Sequence, residues 1–231
     1  IVCKVGEIVV VGGVRRSALI SLSNLQDDRM RSAKTGQWWL EEGQRALSNN
    51  SATYTIKPDM SVFIKEWKSL YDSKSGERGI FNRQAAKNKA SENGRRDIEW
   101  DFGTNPCSEI ILRPYQFCNL TEVVIRATDN EKDLLAKVRA ATILGTFQST
   151  LTDFKYLRKV WKQNTEEERL LGVSLTGIMD NKLTSNPKKE LLIKLRKEAV
   201  DTNKEFAKKL DIPQSTAITC VKPSGTVSQL V

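Results

Sequence analysis

In the stretch Gly103 to Leu112, GTNPCSEIIL, a cysteine stands two residues after an asparagine and two residues before a glutamate. A β-strand alternates its faces, so Asn105, Cys107 and Glu109 would project to one side and Pro106 and Ser108 to the other. An amide, a thiol and a carboxylate on one wall can orient, react with and deprotonate a single small ligand. Pro106 lacks an N–H and suits a strand start, while Ile110, Ile111 and Leu112 supply the strand propensity that follows. The same residues also fit an inert buried thiol with Asn105 and Glu109 in a turn.

Three further stretches carry chemistry-bearing residues. VVVGGVRRSALI joins two expected strands through Gly12 and Gly13 and presents Arg15, Arg16 and Ser17, donors suited to phosphate or a base edge. A plain hairpin with solvated arginines has the same composition. KPSGTVSQL follows an expected strand ending at Val221, and its small residues could open a helix whose backbone N–H groups face an anion. An ordinary strand-to-helix turn reads alike. In QFCNL, Cys118 lies eleven residues after Cys107, and an RPYQ turn between them would let adjacent strands bring the two thiols near each other. Two unrelated core cysteines are the plainer account.

The elements that must hold these residues are those of a globular α/β protein. The chain has 231 residues, 39% apolar and 28% charged, enough to bury a sizeable core and too polar for a membrane protein. Its 37 Lys and Arg against 28 Asp and Glu leave +9, which suits nucleic acid, a phosphorylated small molecule or solubility alone. Four scattered cysteines without CxxC spacing, and no histidine, indicate neither a zinc site nor a disulfide framework, and point to a reducing compartment. Ile1 in place of a methionine, and the apolar residues at both ends, suggest a piece of something longer.

Apolar runs at 7–11, 18–22, 53–56, 109–112, 120–126 and 216–221 read as short strands. Helices are expected at 60–72, introduced by Asp59, and from about Glu131 to Tyr156. Another is expected at a capping box formed by Thr165 and Glu168. A further helical stripe of Leu191, Leu192, Leu195, Ala199, Phe206 and Leu210 leaves its lysines solvated. Strands alternating with helices imply a mainly parallel sheet. Residues 72–97, polar and Gly/Ser-punctuated, read as a long exposed connection with room for one short helix.

Taken together and in this order, GGVRRSALI, GERGIFNR, NPCSEIIL with FCNL, and KPSGTVSQL resemble the catalytic subunit of ribonucleotide reductase. The resemblance covers essentially the whole chain. It is nearest to the adenosylcobalamin-dependent, monomeric ribonucleoside-triphosphate reductases of bacteria and phages, to which GQWWLEEGQRALSNNS is also similar. It implies part of a ten-stranded α/β barrel of two half-barrels, the ribonucleotide reductase and glycyl radical enzyme type, with the radical cysteine on a loop threaded through the middle. Residues 1–231 would then be a partial catalytic barrel domain.

The resemblance also implies roles. Cys107 would become a thiyl radical and abstract the 3′ hydrogen of the ribose, Glu109 would act as base on the 3′ hydroxyl, and Asn105 would hold the sugar hydroxyls. Cys118 would deliver reducing equivalents and end in a disulfide with a thiol expected upstream of Ile1, for which Cys3 is a tempting substitute. Pro223, Ser224, Gly225, Thr226, Val227 and Ser228 would bind substrate phosphates. Gly13, Arg15, Arg16 and Ser17 would form the specificity loop that reports effector identity. Cys220 reads as core. The implied cofactor is adenosylcobalamin, which supplies the first radical.

The implied partners are a ribonucleoside triphosphate, a deoxynucleotide effector and a thioredoxin- or glutaredoxin-like reductant, with no direct nucleic acid and no membrane. The implied setting is the cytoplasm, a host's if the chain is phage-encoded. The chain alone, lacking a C-terminal cysteine pair, is expected to be inactive. Two other readings stay open: an iron-dependent ribonucleoside-diphosphate reductase, and a basic nucleic-acid-binding module using Arg15, Arg16, Arg95 and Arg96.

Overall fold

A computed structural model of the chain describes residues 1–10, 18–74, 76–92 and 94–223. The chain divides into two compact units, Ile1–Ile111 and Leu112–Val231. Arg15, Arg16 and Ser17 with Gly13, and the residues from Ser224 to Ser228, lie outside the described residues, so the specificity-loop and phosphate-loop expectations fall there.

The first unit opens with helix α1 (Val2–Val10), where a strand is expected at 7–11. A run rich in valine favours a strand only if it has a neighbour to pair with; a helix satisfies its backbone bonds internally. The described element that precedes Gly12 and Gly13 is therefore a helix and not the strand expected there. Cys3 is half-buried on α1.

Strands β1 (Leu19–Asn24), β2 (Ser48–Tyr54) and β3 (Gly79–Asn82) form one sheet in that order, parallel throughout. Between β1 and β2 lie the short helices α2 (Asp28–Arg31) and α3 (Trp38–Glu41); between β2 and β3 lies α4 (Met60–Ser73), capped by Asp59 as its sequence predicts. The central strand β2, SNNSATY, is longer than the 53–56 expected and buries small polar residues. Apolar patterning cannot reveal such a strand. Several of its polar groups find partners: Ser48 Oγ donates to Asn50 Oδ1 at 3.1 Å, and the Asn50 N–H donates to the Glu77 carboxylate at 3.1 Å.

The polar stretch after α4 is not a plain connection. It holds β3 and then α5 (Arg83–Ser91), capped by Asn82, whose side chain accepts the Ala85 N–H at 3.0 Å. Ala86 and Ala90 of α5 pack with Phe102 into a small core. A buried ion cluster ties α4 to this sheet. Glu66, with no exposed surface, receives Arg78 Nε at 2.8 Å and Arg31 Nε at 2.8 Å, and Arg78 also reaches the Asn24 and Leu25 carbonyls. Strands β4 (Gly103–Thr104) and β5 (Ile111–Leu112) form a separate two-stranded ladder.

In the second unit, β6 (Asn119–Val124) pairs in parallel with β7 (Leu171–Thr176). Helix α6 (Glu131–Gln148) starts from a capping box of Asn130 and Asp133 and ends earlier than the 156 expected, because Ser149 caps it. Leu134, Val138 and Ala141 of α6, Leu191, Leu195 and Ala199 of α9 (Lys189–Lys209), and Val123, Leu171 and Val173 of the strands make one core. Leu192, expected in the α9 stripe, is exposed, and Thr202, Asn203 and Ala207 take the buried face instead.

Helix α7 (Lys159–Glu168) finishes at the residues where a capping box was expected to begin one. Thr165 and Glu168 match the box pattern, but the Glu168 carboxylate is buried and accepts the Gln116 amide. The short helix α8 (Lys182–Ser185) precedes α9. The stretch at 216–221 forms no full strand. It runs beside β7 through an isolated parallel bridge of Thr219 with Val173.

Candidate active site

The stretch carrying Asn105, Cys107 and Glu109 is a turn, not the strand that its period-2 spacing suggests. It connects β4 to β5. The Ser108 N–H donates to the Asn105 carbonyl at 2.9 Å, and Ser108 adopts a left-handed φ of 63°. Pro106 fits a turn as readily as a strand start, and the pleat needed to align the three side chains is absent. The face-sharing argument therefore fails, and Cys107 lies on a turn between two short strands.

Side chains stitch this turn together. Asn105 Oδ1 accepts the Ile110 N–H at 3.0 Å, Thr104 Oγ1 donates to the Ile110 carbonyl at 3.0 Å, and Asn49 Nδ2 donates to the Pro106 carbonyl at 3.0 Å. Thr104 and Ile110 are buried, so the turn is fixed at both roots. Its tip is open: Cys107 and Ser108 are exposed. Glu109 is half-buried, and its Oε2 is buried without a hydrogen-bond partner among the described residues. A buried carboxylate oxygen with no donor is costly unless a ligand completes it.

Cys118, in the second unit, sits half-buried immediately before β6. Asn119 fixes that strand end, donating to the Leu170 carbonyl from its backbone at 2.9 Å and its side chain at 3.1 Å. Upstream, the RPYQF stretch is bound to α7. Arg113 donates to Glu167 at 2.7 Å, and Phe117 packs on Trp161 and Phe154 with ring centres 4.8 and 4.9 Å apart.

Of the phosphate-loop residues only Pro223 is described, and it is exposed. The chain leading to it is held against β7: the Leu171 N–H donates to Ala217 O at 2.9 Å, that of Val173 to Ile218 O at 2.8 Å, and that of Cys220 to Val173 O at 3.1 Å. Cys220 is half-buried in this ladder. At its end Lys222 Nζ bonds Glu122 of β6 at 2.9 Å. Neither residue has a motif that marks it in the sequence; the lone glutamate in the apolar LTEVV run is the one signal.

Comparison with known proteins fits this arrangement. No family model matches the chain. It is 31% identical to the adenosylcobalamin-dependent ribonucleoside-triphosphate reductase of Lacticaseibacillus paracasei and 29% identical to that of Lactobacillus leichmannii, in each case over 98% of its own length. A crystal structure of a B12-dependent (class II) ribonucleotide reductase superposes on 98% of the chain with a TM-score of 0.68 at 23% identity. The chain is homologous to part of a ribonucleotide reductase catalytic subunit. It spans about a third of the length of these relatives, 33% and 34% respectively.

The Actinobacillus ureae class Id ribonucleotide reductase α subunit shares the fold more distantly, with a TM-score of 0.57 at 13% identity over 93% of the chain. The mixed α/β fold of the chain is that of ribonucleotide reductase catalytic subunits and is consistent with part of their barrel. Among the described residues no helix is long and apolar enough to cross a membrane, and no cluster of Cys, Asp and Glu has the form of a metal site.

Proposed function

We propose that the complete polypeptide reduces ribonucleoside triphosphates to 2′-deoxyribonucleotides by a thiyl-radical mechanism, with residues 1–231 as part of its catalytic barrel. The observation that carries this reading is the turn between β4 and β5, which exposes the Cys107 thiol and, two residues on, holds a buried oxygen of Glu109 with no partner among the described residues. The relatives' dependence on adenosylcobalamin supports the same cofactor here. When bound, it supplies the radical that removes the hydrogen atom of the Cys107 thiol. An exposed thiol at the tip of a braced turn fits a radical source approaching from outside this chain.

The chain's own residues then account for the sugar chemistry. Cys107 takes the 3′ hydrogen atom, and Glu109, whose free oxygen lacks a donor, accepts the proton of the 3′ hydroxyl. The 2′ hydroxyl leaves as water. Asn105 has spent Oδ1 on the Ile110 N–H, leaving its amide N–H groups to hold the sugar hydroxyls. Two electrons come from Cys118 and a second thiol of the complete polypeptide, which close as a disulfide, and Cys107 returns its hydrogen atom to C3′, which restores the sulfur radical. A thioredoxin- or glutaredoxin-like dithiol reopens that disulfide by exchange.

The Ser224 to Ser228 stretch binds substrate phosphates through backbone N–H groups, and Gly13, Arg15, Arg16 and Ser17 carry the identity of a deoxynucleotide effector to the active site. The setting is cytoplasmic. The test is Cys107→Ser in the complete polypeptide with adenosylcobalamin. The exposed position predicts an unchanged fold and nucleotide affinity with deoxynucleotide formation abolished; turnover above background would overturn the thiyl assignment.

A further inference from the structure

Most of β2 is buried, but Asn49 is exposed. Strand side chains alternate, so Asn49 shares a sheet face with Ser51, which pairs in register with Leu22 of β1. The Cys107 turn lies over this face. At its root a Cβ on Gly103 would stand 3.3 Å from Leu22 Cδ1, and nearer its tip Asn49 Nδ2 donates to the Pro106 carbonyl at 3.0 Å. Among the described residues, the other hydrogen bonds of residues 105–109 run within the turn and its two roots, Thr104 and Ile110. Asn49 is what ties the tip to the sheet.

That bond acts on the peptide that carries the thiol. The Pro106 ring fixes its own φ, so the rotation left between the ring and Cys107 is ψ of Pro106. This rotation swings the Pro106 carbonyl and the Cys107 Cα together. Holding the carbonyl oxygen arrests it. Asn49 in turn stands on a fixed base. The Ser48 carbonyl before it accepts the buried Lys34 ammonium, which pairs with Glu77 Oε1 at 2.9 Å, and the Asn50 N–H after it donates to Glu77 Oε2 at 3.1 Å. One ion pair therefore grips both neighbours of Asn49.

We propose that Asn49 is a positioning residue for the Cys107 thiol: by holding the Pro106–Cys107 peptide against β2, it sets the approach of the sulfur to the 3′ hydrogen of the ribose. The proposal rests on the ribonucleotide reductase reading above. Hydrogen-atom transfer needs close approach, and a misplacement of about 1 Å can cost about a hundred-fold in rate. An exposed hydrogen bond contributes little to folding, so the consequence of losing this one falls on the thiol.

The test uses the complete polypeptide with adenosylcobalamin and compares Asn49→Ala, Asn49→Asp and Asn49→Gln. Asn49→Ala should lower kcat about ten-fold or more and leave the KM for the triphosphate within about two-fold, because the lost bond is to the turn and not to substrate. Asn49→Asp keeps the shape without the donor and should be as slow. Asn49→Gln keeps an NH2 group on a longer arm and should recover part of the rate. With 3′-deuterated substrate, the isotope effect on kcat should be larger in Asn49→Ala than in wild type, since a displaced thiol slows hydrogen-atom transfer relative to the other steps. A merely structural asparagine would leave that isotope effect unchanged. Hydrogen exchange without ligands gives a second readout: the Cys107 and Ser108 amides should exchange faster in Asn49→Ala, with those of β2 as in wild type.

An unchanged kcat in Asn49→Ala, or a lower kcat with the isotope effect of wild type, overturns the positioning role while wild-type turnover leaves the reductase reading standing. Unchanged exchange at Cys107 and Ser108 overturns it as well. A wild-type protein that forms no deoxynucleotide overturns the reductase reading itself. In that event, exchange at the same two amides still decides whether Asn49 holds the thiol-bearing turn.

Discussion

Asn105 Oδ1 and the backbone N–H of Ile110 meet at 3.0 Å, closing the turn that carries Cys107 and Glu109. One side chain therefore has two separable duties. Its oxygen holds the turn, and on the proposed reading its NH2 group holds the sugar hydroxyls.

The two duties respond differently to substitution. Asn105→Ala leaves the Ile110 N–H, on a buried residue, without its acceptor and should cost about 1–3 kcal/mol in stability as well as activity. Asn105→Asp keeps the acceptor, so urea unfolding should stay close to wild type while substrate affinity falls through loss of the donor. Equal destabilisation by both variants would show that the amide serves the turn alone.

Glu66 supplies a prediction about acid. Burial pushes its carboxyl up, but hydrogen bonds from Arg78 and Arg31, with their charges, outweigh this and hold it below the ordinary carboxylate value of 4.5. A group depressed on folding stabilises fully above its unfolded pKa and loses that contribution as pH falls through the lower native value. Stability should therefore decline below about pH 4.5. Glu66→Gln leaves two guanidinium groups without their counter-charge. It should cost about 3–5 kcal/mol near neutrality and flatten the acid dependence, as read from urea unfolding at several pH values.

Gly177 follows β7 with φ of +74°, and a Cβ there would stand 2.5 Å from the Ile125 carbonyl oxygen. Gly177→Ala combines left-handed strain with a backbone clash and should destabilise by about 3 kcal/mol or more. Gly36, at φ +63° with nothing within 4 Å, isolates the strain alone, and Gly36→Ala should cost about 1 kcal/mol. Thermal unfolding of the two variants, measured side by side, checks the ordering.

The segment from Ser224 to Ser228 is tested through substrate affinity in the complete polypeptide. Gly225→Val puts bulk where a phosphate oxygen would approach the backbone and should weaken binding sharply. Thr226→Ala removes one neutral hydroxyl and should weaken it by about 1 kcal/mol. An ordinary turn would show altered stability in either variant with affinity unchanged.

Much of this chain is legible in its residue types. Helix α4 follows from Asp59 and the apolar spacing after it, α9 follows from Leu191, Leu195 and Ala199, and parallel pairing follows from the alternation of strands and helices. Local signals suffice there because each element's cap and buried face are written within its own length. The thiol with its flanking amide and carboxylate was equally visible, since the sequence alone fixes which groups a short turn brings together.

Tertiary context decided the rest. Whether Val2–Val10 became strand or helix depended on the availability of a pairing partner. The polar strand β2 exists because its neighbours β1 and β3 satisfy its backbone and bury its serines. Thr165 and Glu168 spell a helix start, yet Gln116, about fifty residues away in sequence, claims the glutamate and places it at a helix end. Asn105, Cys107 and Glu109 have strand spacing, but Ser108 N–H bonded back to Asn105 O makes a turn. Glu122 and Lys222 lie 100 residues apart, and only the packing of residues 217–222 along β7 brings their charges within 2.9 Å. Partners that distant leave no periodic trace, because the energy that joins them is gained only once the sheet has formed.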